Sequence, residues 1–306
     1  RRRRNRLRRR SRYFVRILRI MKKLFIIALT LLSWSFASAQ ATHNVMSCNI
    51  RITGLPADEV DGRRWDDRKD ICLKVIKSRK PDIVCMQEVI YESYAYMKKK
   101  LKNYMAFGFE GPEMDPWTEG YHFIGKNVIF FSKKRYEFVS AGTYWLSETP
   151  LIGGSVSWET ARARQCNWVR LRDKRTGKEF RVLDTHLDHI TKLAKTRQTE
   201  VIVAEAAQYA EDFPQLLFGD FNSGIKDEPY ALLTAAGWTD AYEAVHGHEE
   251  TGFTAHGWKF DRSKGRRIDF IYTRGGVQAQ SAEIVKDAPG GIYPSDHYFV
   301  SAVLKF

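Results

Sequence analysis

Four cysteines are all the sequence has, Cys48, Cys72, Cys85 and Cys166, and no two of them form a Cys-x-x-Cys pair. A zinc site built on them is therefore not expected. Cys48, Cys85 and Cys166 lie in apolar, strand-like runs, so buried free thiols are expected, with a disulfide left open if the chain is exported. No repeat, low-complexity stretch or linker interrupts residues 40–306. Those 267 residues suffice for one large domain with its own core.

Residues 1–39 contain no acidic residue. The formal charge of +14 ordinarily suggests a nucleic-acid partner. Eleven arginines and two lysines of that total sit in residues 1–39, which leaves +1 for everything after them. The body is nearly neutral and lends no support to binding a long polyanion. Met21-Lys22-Lys23 is a basic start, Leu24 to Phe36 is apolar apart from Thr30, Ser33 and Ser35, and Ala37-Ser38-Ala39 is a small-x-small cleavage site before Gln40. Residues 21–39 are thus expected to be a signal peptide, and the protein periplasmic or secreted. Their apolar run is shorter than the ~18 residues that a membrane span needs, and no cysteine follows the cleavage site to carry a lipid. Residues 1–20 are read as an upstream extension; a nucleic-acid arm and a twin-arginine signal are the alternatives weighed against it.

What the body does contain is a set of polar residues at the ends of apolar runs. Leu216-Leu217-Phe218 reads as a short buried strand and leads into Gly219-Asp220-Phe221-Asn222. Side chains two apart on an extended segment point the same way. One carboxylate to hold or deprotonate water and one amide to hold an oxyanion suit hydrolysis of a phosphate ester. Strands are expected at 44–50, 82–86, 127–131, 136–146, 165–172, 178–184, 215–218, 267–272, 282–285 and 299–304, with helices at 65–80 and 193–209. Hairpins alternating with helices imply an α/β fold of packed sheets under outer helices. Asn49, Glu88, His186, Asp269, Asp296 and His297 also fall at strand ends, where one rim collects them.

Six segments in order, Ser47-Cys48-Asn49, Met86-Gln87-Glu88-Val89, Asp184-Thr185-His186-Leu187, Gly219-Asp220-Phe221-Asn222, Arg267-Ile268-Asp269-Phe270 and Ser295-Asp296-His297, resemble the endonuclease/exonuclease/phosphatase superfamily with its deoxyribonuclease-I-like fold. Tyr144 to Pro150 and Arg164 to Trp168 are similar to an exported bacterial branch of it. The resemblance covers residues 43–306. It implies a four-layer α/β sandwich, two packed mixed β-sheets flanked by helices, in one domain over residues 40–306. It also implies Mg²⁺ or Mn²⁺, with Asn49 and Glu88 as hard oxygen ligands and Asp296 near the metal. His186, Asp220, Asn222, Asp269 and His297 are implied to be catalytic. Asp220 would hold or deprotonate the attacking water, Asp269 would orient His297, and Asn222 and His186 would donate to phosphoryl oxygens. Each residue alone has a plainer reading, such as a turn-capping Asn49, a satisfied core His186 or a structurally paired Asp269.

Arg51, Arg162, Arg164 and Trp145 are candidate substrate-binding residues. Arg51 stands where some nuclease branches have an acid, so it is expected to contact phosphate or to pair with Glu88. Asp188 is expected to cap the helix after it. The expected activity is a metal-dependent phosphoesterase, acting as a monomer on a phosphodiester or phosphomonoester of unassigned class, nucleic acid included. Alternatives are an inactive exported binding protein of the same fold, or a lipid or inositol phosphodiesterase.

Overall fold

The computed structural model describes residues 41–110, 125–248, 252–259 and 266–306. The expected extension (1–20) and signal peptide (21–39) lie outside the described residues. Strand β1 (Thr42–Asn49) leads through helix α1 (Trp65–Ser78) into β2 (Ile83–Val89), its parallel neighbour. Helix α2 (Tyr91–Lys100), β3 (Tyr104–Phe107) and β4 (Lys126–Ser132) follow. With β11 (Gln278–Val285) and β12 (Phe299–Lys305) these strands form a six-stranded sheet in the order β11-β12-β1-β2-β4-β3. The second sheet comprises β5 (Tyr136–Trp145), β6 (Gln165–Asp173), β7 (Glu179–His186), β8 (Gln215–Asp220), β9 (Thr239–Asp240) and β10 (Asp269–Arg274), in the order β5-β6-β7-β8-β10-β9. Helices α3 (Lys192–Ala206), α4 (Glu228–Ala235) and α5 (Ala241–His246) belong to that half of the chain.

The same device appears once in each sheet. β1·β2 and β7·β8 are the parallel pairs, and each is joined by a helical crossover, which parallel strands require. Both faces of these strands are covered. Val45, Cys85, Val182, Leu216 and Phe218 fill the core between the sheets. Met46, Val84 and Met86 pack outward with Cys72, Val75 and Ile76 of α1. Leu217 and Leu183 pack outward with Ile202 of α3 and Leu233 of α4. Strands buried on both faces read as continuous apolar runs without alternation, as Leu216-Leu217-Phe218 does. The result is the expected four-layer α/β sandwich. Truncating a residue of its inner core such as Phe218 to alanine would cost about 3–5 kcal/mol.

All four cysteines are buried and free. Helix α1 stops two residues short of the expected Lys80, which takes φ 47° ahead of Pro81; a proline disfavours the helical conformation in the residue before it. Among the described residues no helix is long and apolar enough to cross a membrane. The carboxyl ends of β1, β2, β7 and β8 meet at one rim with the amino ends of β10 and β12.

Candidate active site

Gly219 explains how β8 delivers its polar end. A Cβ at this position would lie 2.3 Å from the Thr185 carbonyl oxygen of β7. Without one, the two strands close up and His186 comes into register beside Asp220. Asn222 then takes φ 48°, a left-handed conformation that asparagine tolerates, and its backbone N–H donates to Asp220 Oδ1 at 2.9 Å. Its Nδ2 lies 3.0 Å from His186 Nε2 and donates to the Leu187 carbonyl at 3.1 Å. The amide N–H groups expected to face a phosphoryl oxygen are therefore engaged within the site.

Glu88 reaches the same point from the other sheet through a bulge. The register of β2 against β4 shifts between Met86 and Val89, and Glu88 takes φ 61°. Bulges of this kind re-aim a side chain at a sheet rim. Gly125 makes room for it, since a Cβ there would lie 2.9 Å from the Glu88 Cα. Asn49 Nδ2 bridges the sheets, donating to Glu88 Oε1 and to Asp220 Oδ2, both at 3.0 Å. Its Oδ1 accepts from the Arg51 N–H at 3.0 Å, so it is the amide nitrogen, not the expected oxygen, that faces the carboxylates.

His297 and Asp269 close the site. Their Nδ1 and Oδ2 atoms are 2.9 Å apart, and His297 Nε2 lies 3.9 Å from Asp220 Oδ2. A loop that sequence reading left unassigned braces both. Thr254 Oγ1 accepts from the backbone N–H groups of Ile268 and Asp269, each at 3.1 Å, and the Thr254 carbonyl accepts from Tyr298 N–H at 2.8 Å. Ser295 Oγ accepts from His297 N–H at 3.2 Å.

The charges are arranged unequally. Burial drives the Asp220 carboxyl up, and Asp269 and Glu88 add to it, so that its pKa reaches about 7. Burial presses His297 toward the neutral form, but Asp269, Asp220 and Asp296 outweigh it and hold the imidazolium well above the usual histidine range. His186 goes the other way: burial, then Arg164, keep it well below that range and so neutral. Glu88 stays low against burial because His297, the Asn49 amide and the Ile52 N–H at 2.7 Å favour its charged form.

These groups line a cavity of about 300 Å³, into which Arg51, Arg162, Arg164 and His189 also project. Arg164 is 7 % exposed, its Nε has no hydrogen-bond partner and its Nη2 lies 3.3 Å from His189 Nδ1. Burial pushes its pKa down to about 10, which leaves it a cation at neutral pH. Arg51 pairs with Asp58 at 2.7 Å and Asp296 at 3.2 Å rather than with Glu88. Asp296 is correspondingly turned toward Arg51. Trp145 corrects an expectation: it is 2 % exposed at the end of β5, beyond reach of a substrate, and does not line the cavity. Asp188 does not cap α3, a task that Thr191 performs by accepting from Ala194 N–H. Instead its carboxylate accepts from Thr160, Ala161, Ile190 and Thr191, tying the loop before Arg162 to the turn that carries His189.

A divalent cation fits this donor set. Oxygen or nitrogen atoms of Glu88, His186 and Asp220 lie within 4.8 Å of one another, as do those of Asp220, Asp269 and His297. Glu88 and Asp220 supply hard oxygens, and their mutual repulsion is what a cation between them would relieve.

Sequence reading missed Arg68. It is 1 % exposed on α1 and donates to the carbonyls of Arg63, Ile50, Arg51 and Pro294. The clamp joins the loop after Asn49 to the loop before Asp296. An arginine on a helix reads as a solvated face, so nothing local marks it. Gln87 was likewise read only as part of a motif, yet its Nε2 donates across the sheets to Asp184 Oδ1 at 2.6 Å. Burial pushes the Asp184 carboxyl well above the usual carboxylate range against the Gln87 and Thr185 hydrogen bonds.

A family model described as "Endonuclease/Exonuclease/phosphatase family" matches residues 41–297. Among solved structures, an endonuclease/exonuclease/phosphatase from Bacteroides vulgatus superposes with a TM-score of 0.77 at 28% identity, covering 87% of this chain and 99% of that one. The mannosyl-6-phosphatase of Bacteroides thetaiotaomicron VPI-5482 superposes at 0.75 with 26% identity, covering 86% and 100%. Nocturnin of Drosophila melanogaster is 26% identical over 272 residues, which are 76% of this chain but only 41% of that protein's length.

Proposed function

We propose, for a chain that belongs to the endonuclease/exonuclease/phosphatase family, that it hydrolyses a phosphomonoester of a small polar molecule by direct attack of water. Members of this family are phosphoester hydrolases that use divalent metals. The observation that carries the reading is the position of Asp220. Its carboxylate is buried at the cavity floor between Glu88, at the end of β2, and the His297–Asp269 pair, which joins the segment before β12 of the same sheet to β10 of the other. With a pKa near 7 it can take a proton from water at neutral pH.

Protonated His297 faces the negative charge that develops on the phosphoryl oxygens, and Asp269 fixes its orientation and charge. The Asn222 backbone N–H holds the Asp220 carboxylate, and its side-chain amide ties neutral His186 to the same strand end. Arg164 supports the monoester reading: a buried guanidinium with an unpaired Nε, beside Arg162 and His189, suits the dianionic end of a phosphate. The named activity of the mannosyl-6-phosphatase agrees with it. Mg²⁺ or Mn²⁺, held by Glu88 with Asp220 beside it, would neutralise the scissile phosphate and polarise its P–O bonds. All the groups invoked come from one chain, so a monomer suffices. Residues 21–39 act in this reading as a signal peptide, and N-terminal sequencing of the mature protein would begin at Gln40.

The test is hydrolysis of p-nitrophenyl phosphate and of bis-p-nitrophenyl phosphate with Mg²⁺, Mn²⁺ or chelator. The monoester should be turned over faster, and only with metal. Asp220→Asn and His297→Ala should each lose about 10²–10⁴-fold in kcat. Near-normal turnover in both variants would sink the assignment.

A further inference from the structure

We propose that a second cavity on the catalytic rim is an anion subsite for a further phosphate group of the same substrate; the inference rests on the phosphomonoesterase reading above. The cavity has a volume of about 270 Å³, and Lys192, Lys195, Lys226, Arg266 and Ser223 contribute to its wall. It lies where the chain leaves β7 for α3 and β8 for α4. Those strands end at the catalytic rim, so the first turns of both helices start there.

Its charge is unbalanced. Two acids face it, and both are engaged. Asp227 pairs with Arg266 and accepts from Gly224 N–H at 2.8 Å, while Glu228 accepts from Thr196 Oγ1 at 3.1 Å. Lys192, Lys195 and Lys226 have no ion pair among the described residues, and Lys195 donates only to the Asn222 carbonyl, at 3.1 Å. An independent observation points to a ligand. Ser223 is 2 % exposed and its hydroxyl has no hydrogen-bond partner. A buried donor left unmade is costly, and an anion in this cavity would accept from it.

The two cavities are lined by consecutive residues of one segment. Ser223 follows Asn222, whose side chain lines the catalytic cavity, and Lys195 grips the backbone between them. Consecutive Cα atoms are about 3.8 Å apart. In this proposal a small molecule with two phosphates places one at Asp220 and the other among the lysines. Substrates with a second phosphate are expected to bind better than their single-phosphate counterparts.

The experiment compares glucose 1,6-bisphosphate with glucose 6-phosphate in the metal-loaded enzyme and in a Lys192→Ala/Lys226→Ala variant. In the native enzyme the bisphosphate should have a KM about tenfold lower. The variant should lose that advantage and keep its kcat/KM for p-nitrophenyl phosphate. Equal KM values in the native enzyme, or a variant that leaves the advantage intact, overturn the subsite. If neither sugar phosphate is hydrolysed, the p-nitrophenyl phosphate assay decides the phosphatase reading, and calorimetry with inorganic pyrophosphate decides the subsite separately. Binding that the double variant abolishes supports it; no binding, or binding that the variant leaves unchanged, overturns it.

Discussion

At one rim of the sandwich His297 sits 2.9 Å from the Asp269 carboxylate; at the opposite rim His43 sits 3.6 Å from that of Asp173. Both imidazoles are buried, at 8 % and 1 % exposure. Their protonation is opposite. His297 is surrounded by Asp269, Asp220 and Asp296 and stays charged. His43 is forced down to about 3, first by burial and then by Arg135, whose guanidinium pairs with Asp173 and Asp82. Its Nδ1 meets Tyr136 Oη at 2.7 Å and its ring stacks on Phe306 at 4.2 Å. The far rim has cancelled its carboxylates and filled its space. The catalytic rim keeps carboxylates in excess around a cavity, an arrangement that a divalent cation and a phosphate would balance. A buried His–Asp contact thus says little about function; the surrounding charge and the open space beside it decide.

The sharpest way to separate the rims is to break each histidine–carboxylate contact in turn. Asp269→Asn should lower kcat by about 10²–10⁴-fold, with little change in thermal stability, since His297 loses its charge and its orientation. Steady-state kinetics and a melting curve on one preparation measure both. His43→Ala should do the reverse: about 2–4 kcal/mol of stability lost to a cavity and an unpaired Tyr136 hydroxyl, with kcat unchanged. A large kcat loss in His43→Ala would mean that the rims are coupled through the core. The acid limb adds a second readout. The folded pKa of His43 lies below its unfolded value, so its contribution is complete above pH 6.5 and is lost as pH falls toward 3. His43→Ala should flatten the fall in stability over that window, and an unchanged slope in urea titrations would refute the account.

Much of the catalytic rim was legible because strands buried on both faces announce themselves as apolar runs, and polar residues at their ends then stand out. Asn49, Glu88, His186, Asp220 and His297 were found that way. What stayed hidden depends on tertiary context. Arg68 and Thr254 act through backbone carbonyls and N–H groups, for which no local pattern exists. Helix α2 is Tyr-Glu-Ser-Tyr-Ala-Tyr-Met-Lys-Lys-Lys, too weakly periodic to be read as amphipathic, and only Ser93, Tyr94 and Met97 of it are buried. Strand β11 starts four residues before the expected Ala282 because it is an edge strand with a largely exposed polar face. Trp145, a candidate substrate-binding residue by sequence, proves to be core, as packing of an aromatic beside a strand end also allows. The bulge at Glu88 was also invisible, since the strand was expected to stop at Met86.

The smallest expected effect concerns the sign of the catalytic rim's own energetics. Asp220 has a pKa near 7 in the folded protein against 3.8 for an ordinary aspartate. Between those values the folded state holds a proton that the unfolded state has released. Its presence therefore favours folding at low pH, and the advantage is lost as pH rises from about 4 through 7. Above that range the native enzyme carries a buried carboxylate beside Glu88 and Asp269 that burial and repulsion both oppose. Asp220→Asn keeps the shape and removes the charge. Without divalent metal at pH 8 the variant should be more stable than the native protein by on the order of 1–3 kcal/mol, and the gap should shrink toward pH 4. Mg²⁺ should narrow it at pH 8 by stabilising the native protein more than the variant. Urea titrations at the two pH values measure the gap. If it is the same at both, or if the variant is the less stable protein at pH 8, then Asp220 is held by compensating contacts and the excess of negative charge inferred for this rim is wrong.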